Sequence, residues 1–105
     1  MVNKLPGGVR ATVALAADVP YPRKRPVSSG YRPQIKFAWT EESSSGELSF
    51  DDAESHAVGD TWQAEIRILG WAYLGDRVRV GDTFEMCEDS HLVGRGVVDE
   101  LLQEQ

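Results

Sequence analysis

Apolar and polar positions alternate with a period of two in short runs along most of this chain, the period of strands that turn one face to a core. Val9, Ala11, Val13 and Leu15 form one run, and Ile35, Phe37 and Trp39 form a second. Leu48 and Phe50 flank Ser49, while Trp62, Ala64, Ile66 and Ile68 alternate with Gln63, Glu65 and Arg67. Val78 and Val80, then Phe84 and Met86, continue the habit, and Leu92 to Leu102 closes it. Only the last few residues look like an amphipathic helix. Six or seven short strands separated by Gly, Pro, Ser and Asp clusters predict a sandwich or a small closed barrel. Its interior is expected to hold Val13, Leu15, Ile35, Phe37, Leu48, Phe50, Trp62, Ile66, Ile68, Phe84 and Met86.

The connections carry their own signals. Asp18 to Gly30 holds three of the five prolines and the triplet Arg23-Lys24-Arg25, which reads as a surface loop. Thr40 to Gly46 reads as a solvated hairpin tip, and Asp51 to Asp60 as an acidic loop ending in a Gly-Asp turn. Val58-Gly59-Asp60-Thr61-Trp62 is echoed by Val80-Gly81-Asp82-Thr83-Phe84, which we read as shared turn chemistry rather than a duplicated unit. In Gly94-Arg95-Gly96 the glycines predict close backbone approach within a strand, or a bulge.

Composition adds one domain and little else. The 105 residues are 41% apolar, 27% charged and 9% aromatic, the makeup of one soluble globular unit spanning 1–105, with 1–8 as a flexible N-terminus. No apolar run approaches the ~20 residues that cross a bilayer, so no membrane association is expected. Ala11 to Ala17 is too short for a secretory leader and alternates like a strand. With one cysteine, Cys87, no internal disulfide can form, and a cytoplasmic location is expected.

Charge is distributed unevenly within the net −6. Residues 1–36 carry seven Lys or Arg against the single acid Asp18, whereas residues 37–105 carry four Arg against sixteen acids. This predicts either a polarised surface or, if neighbouring strands interleave the two halves, a neutralised one.

Most site chemistry is missing. The chain has no Gly-Lys pair and no lysine beyond Lys36, so no phosphate-cradling nucleotide loop is expected. Asp51, Asp52, Glu54 and His56 match no calcium-loop spacing, and Cys87 and His91 lack both helical pattern and an orienting third group. No catalytic residue, metal or cofactor is therefore expected. One cluster does carry binding chemistry: Arg23, Lys24, Arg25, Arg32 and Lys36 with Gln34, Tyr21 and Tyr31, where guanidinium forks suit phosphates and the aromatic and amide groups suit sugars.

From Arg23 to Phe37 the chain reads Arg-Lys-Arg-Pro-Val-Ser-Ser-Gly-Tyr-Arg-Pro-Gln-Ile-Lys-Phe, and Val93-Gly94-Arg95-Gly96-Val97-Val98 follows near the far end. Together these resemble the third domain of elongation factor Tu, with its Gly-Tyr-Arg-Pro-Gln segment and its closing Val-Gly-Ala-Gly-Val-Val strand. Val58-Gly59-Asp60 falls where the family has Pro-Gly-Asp, and Arg10 to Leu15 falls on its opening strand. The resemblance implies an all-β, closed six-stranded antiparallel barrel without the GTPase domain or second barrel. It also implies a tRNA-facing role for Arg23 and Gln34, with Lys24 and Arg25 adding charge. Against that role, Asp89-Ser90 stands for the family's Gly-Gly pair that approaches RNA, and the family's phosphate-facing lysine is missing, its position falling near Gly70. The inserted segment Gly70-Trp71-Ala72-Tyr73-Leu74-Gly75 offers Trp71 and Tyr73 as anchors for a partner.

The expectation is a non-enzymatic protein-interaction module related to translation factors, acting as an immunity or regulatory protein. The alternative is a tRNA-binding barrel that uses Arg23, Lys24, Arg25, Arg32 and Gln34. In either case Gly94 and Gly96 are expected on a closing strand beside the Gly-Tyr-Arg-Pro-Gln strand.

Overall fold

The computed structural model describes residues 7–102. Six strands close into an antiparallel barrel: β1 (Gly8–Leu15), β3 (Gln34–Phe37), β4 (Ser44–Ser49), β6 (Thr61–Ile68), β7 (Thr83–Glu88) and β8 (His91–Leu102). Around the wall the order is β1-β6-β4-β3-β7-β8, and β8 returns to β1. Two further short strands, β2 (Val27–Ser28) and β5 (Ser55–His56), pair with each other outside the barrel. Among the described residues no helix is long and apolar enough to cross a membrane.

Alternation set the wall as expected, because each strand has one face toward a closed interior and one toward solvent. In β6 every second residue is buried, and Trp62, Ala64, Ile66 and Ile68 face inward. Val9, Ala11, Val13 and Leu15 face them from β1. All of the expected interior residues are buried except Phe50, which lies half-buried just beyond β4 against Trp62, ring centroids 5.7 Å apart. A narrow barrel needs small inward residues opposite large ones. A Cβ on Gly96 would lie 2.3 Å from the Phe84 ring, and one on Gly94 would lie 2.5 Å from the Ala14 carbonyl oxygen.

Two bulges bend β8, the strand that closes the wall. Met86 pairs with Gly94 but Cys87 with Leu92, so Val93 is the extra residue; it turns inward beside Gly94. Arg10 pairs with Glu100 but Ala11 with Val98, so Asp99 is extra and accepts the Thr12 hydroxyl at 2.7 Å. Asp89 and Ser90, at φ of 48° and 69°, supply the two left-handed residues of the tight β7–β8 hairpin. The repeated Gly-Asp turn is shared geometry. Gly59 and Gly81 both have positive φ, and Asp60 and Asp82 each accept the backbone N–H three residues back, at 2.9 and 2.8 Å.

Several expectations need correction. β8 does not neighbour the Gly-Tyr-Arg-Pro-Gln strand: β7 lies between them, pairing with β3 on one side and β8 on the other. Val78 and Val80 are not in a strand. Val78 is buried at the exit of a 3₁₀ turn (Gly75–Arg77), and Val80 is exposed. The hairpin tip is shorter than Thr40 to Gly46, because Ser44 already opens β4 and Gly46 faces inward between Ile35 and Ile66. Of the segment 1–8, residues 1–6 lie outside the described residues. Gly7 accepts the Ile68 N–H at 3.1 Å and Gly8 begins β1. The helix-like end is strand as far as Leu102, and 103–105 are outside the described residues.

Candidate interaction surface

Among the contacts that hold the basic loop down, three fall within residues 23–31. β2 pairs with β5, so Val27 sits in the core and the loop is bound to the acidic segment that carries His56. Ser29 Oγ accepts the Phe50 N–H at 3.0 Å. At the third point, Glu88 Oε2 accepts hydrogen bonds from both the Arg23 guanidinium and the Tyr31 hydroxyl, and the guanidinium lies over the Tyr31 ring, 5.2 Å from its centroid. Burial first, then the carboxylate of Glu88, pushes the Tyr31 phenol well above its ordinary value. Arg23 also donates to the Arg25 carbonyl at 3.1 Å.

Arg32 and Gln34 are likewise engaged inside the protein. Arg32 Nη2 and Arg67 Nη1 grip the two oxygens of Glu47, at 3.1 and 2.9 Å. The Gln34 amide donates to Ser45 Oγ at 3.0 Å and accepts from Ser43 at 3.4 Å. Lys24 and Arg25 differ: both are exposed, and among the described residues no carboxylate pairs with either.

The two oppositely charged parts of the chain are thus folded onto each other. Arg10 bridges Glu65 and Glu100 at 2.7 and 2.6 Å, Arg23 meets Glu88, and Arg32 meets Glu47. Lys36 faces Glu41 at 4.0 Å, and Arg95 returns to Asp18 at 3.0 Å, holding that carboxyl below its usual range through the hydrogen bond. Of the two arrangements that chain order allows, these pairs are the interleaved one. Exposed pairs of this kind add little to stability, so their main effect is to cancel field.

Trp71 and Tyr73 share a one-turn helix, α1 (Trp71–Leu74), but not an environment. Leu74 is buried and Trp71 packs half-buried against the core. The indole rests on bare backbone: a Cβ on Gly7 or Gly75 would approach it to 2.3 or 2.6 Å. Tyr73 points out and is 83% exposed, and Leu69, just before the helix, is 72% exposed. Neither Leu69 nor the Arg67–Glu47 pair stood out in the sequence. Leu69 breaks the alternation of β6 in a place that could have flagged it, since Ile68 already fills the inward position.

Other candidates resolve into packing. His56 stacks on Trp62 with ring centroids 4.3 Å apart, and its nitrogens lie 3.2 and 3.5 Å from Glu54 and Asp60. His91 packs on Tyr21 at 4.8 Å rather than beside Cys87, whose thiol is pushed up by burial and by Glu85. Among the described residues no three His, Cys, Asp or Glu side chains converge as a metal site would require. Trp39, 5.4 Å from Phe37, donates to Asp82 at 3.0 Å and carries the Arg77 guanidinium on its face. A broad groove of about 650 Å³ crosses the outer faces of β1, β8, β7 and β3, with Thr12, Ala14, Thr83 and Val97 in its lining. No protein-family model and no curated protein matches this chain.

Proposed function

We propose that this barrel is a non-enzymatic protein-interaction module whose contact surface centres on Tyr73. The observation that carries the reading is α1 itself. The helix is locked by Leu74 and the half-buried Trp71, yet among the described residues its Tyr73 ring is left 83% exposed. A rigid aromatic on a docked element loses little conformational freedom on binding, which is why such residues dominate interfaces. Trp71 contributes from below, as the support that fixes the helix.

The closed six-stranded barrel and the tight seat of Gly94 and Gly96 agree with kinship to the third domain of elongation factor Tu. That kinship favours a partner in the translation apparatus, or in a system exploiting it, with this chain as a cytoplasmic immunity or regulatory protein. Of the five residues available to tRNA, Arg23, Arg32 and Gln34 are occupied by Glu88, Glu47 and Ser45. RNA binding would rest on Lys24 and Arg25, so it is the weaker reading.

The test is capture from nuclease-treated native lysate with wild type, Tyr73→Ala and Lys24→Glu/Arg25→Glu. The proposal expects a discrete protein that Tyr73→Ala loses and the charge reversal keeps, with Tyr73→Ala melting like wild type. Capture that depends on residues 24 and 25 and vanishes with nuclease would replace it with the RNA reading.

A further inference from the structure

The strand that leads into α1 carries a second feature. On the outer face of β3, β4 and β6, Arg32 and Arg67 share the single carboxylate of Glu47, one guanidinium on each oxygen. Two cations on one anion leave a surplus of one positive charge. Arg32 spends Nε and Nη2 on Glu47 and Arg67 spends Nη1, so Nη1 of the first and Nε and Nη2 of the second are free of this contact. Both arginines and Glu47 line a depression of about 290 Å³ together with Ser45 and the exposed Leu69. Leu69 is fixed there, because its N–H donates to the Ser45 carbonyl at 2.9 Å. The next residues of the same two segments, Ser44 and Gly70, belong to an adjoining depression of about 360 Å³ lined by Tyr73.

We infer that this depression receives a short acidic segment of a protein partner, one carboxylate forking onto Arg32 and Arg67 while a neighbouring apolar side chain covers Leu69 and reaches Tyr73. The inference rests on the protein-interaction reading above and names the chemistry of its partner. Charge selects the occupant: a carboxylate supplies the second anion that the arginine pair lacks, and guanidinium forks match carboxylates bidentately. Size agrees, since 290 Å³ sits at the small end of ligand clefts and suits one or two side chains. An RNA strand suits it less, because it has no aliphatic side chain to cover Leu69.

The experiment is a side-chain NMR titration of the full chain. The probe is an acetylated and amidated octapeptide alternating Glu and Leu; its Lys-for-Glu counterpart and a single-stranded RNA octamer serve as comparisons. The inference expects saturable shifts of the Arg32 and Arg67 Nε–H signals and the Leu69 methyls with the acidic peptide alone. Binding should weaken about tenfold in Arg67→Gln, the loss expected for a charge-assisted hydrogen bond. Arg32→Gln, at a more exposed side chain, should weaken it similarly and guards against misfolding of the first variant. No shifts at these residues, equal shifts with the Lys peptide, or shifts with RNA alone would overturn it. If the acidic peptide fails while Tyr73-dependent capture persists, the partner chemistry is wrong and the interaction reading stands. If both fail, so does that reading.

Discussion

Replacing Gly96 with Ala tests the barrel interior at its tightest point. The added Cβ would lie 2.3 Å from Cζ of Phe84 and 2.7 Å from its Cε1. Carbon atoms normally settle ~3.5–4.0 Å apart, so the ring tip must retreat by more than about 1 Å. It has little room: Phe84 is 2% exposed, and its ring meets the buried Phe37 edge-on at 5.8 Å. Overpacking of this kind costs about 1–3 kcal/mol. Against it stands about 0.4–1 kcal/mol gained because alanine restricts the unfolded chain, a gain available where the glycine does not need positive φ. The net expectation is a loss of roughly 1–2 kcal/mol, or roughly 5–15 °C in melting temperature for a domain of this size. Urea unfolding followed by tryptophan fluorescence measures it. Shortening the ring in Phe84→Leu should remove the clash, so the double variant should be less damaged than the two single losses predict. Gly96→Ala at wild-type stability, or strict additivity with Phe84→Leu, would refute the packing described for β7 and β8.

Other expectations follow from the same geometry. Phe37→Ala should cost about 3–5 kcal/mol by leaving a cavity at a fully buried position, measured in the same urea melts. Trp71→Ala should cost roughly 1–3 kcal/mol through lost packing on Gly7 and Gly75, whereas Tyr73→Ala should leave thermal unfolding unchanged. Because the folded chain holds the Tyr31 proton more tightly than the unfolded chain, that stabilisation is complete below pH ~10 and is lost as pH rises beyond it. The stability gap between wild type and Tyr31→Phe should therefore narrow in melts above pH ~10. If Lys24 and Arg25 alone met phosphates, tRNA affinity would fall with a log–log salt slope near −2, and a slope of −4 or steeper would mean that the Glu88 and Glu47 pairs open on binding.

The wall of the barrel was legible because its strands obey one period. Val9 to Leu15 and Trp62 to Ile68 face a closed core on one side only, and nothing but a strand fits that pattern. Two residues do not establish a period, so Val78 and Val80 mimicked a strand although one is buried by a 3₁₀ turn and the other is exposed. α1 was invisible because four residues fall short of a helical repeat. The order of neighbours around the wall is a relation between distant strands, which is why the closing strand β8 was expected beside β3 although β7 lies between them. The candidate cluster was legible as composition but not as chemistry. Arg23 looks free in sequence, and its neutralising partner Glu88 lies sixty-five residues away. Leu69 and the Arg67–Glu47 pair became visible only when β4 and β6 were set side by side.

Contact at Tyr73, the residue on which the proposed protein-binding face centres, can be read directly. A photo-crosslinking amino acid placed at residue 73, with a second chain carrying it at residue 25, would be irradiated in native lysate before nuclease treatment and mass analysis. Position 73 should give a protein adduct of defined mass that excess unlabelled wild type removes and excess Tyr73→Ala does not. RNA adducts from position 25 with no protein adduct from position 73 would contradict it.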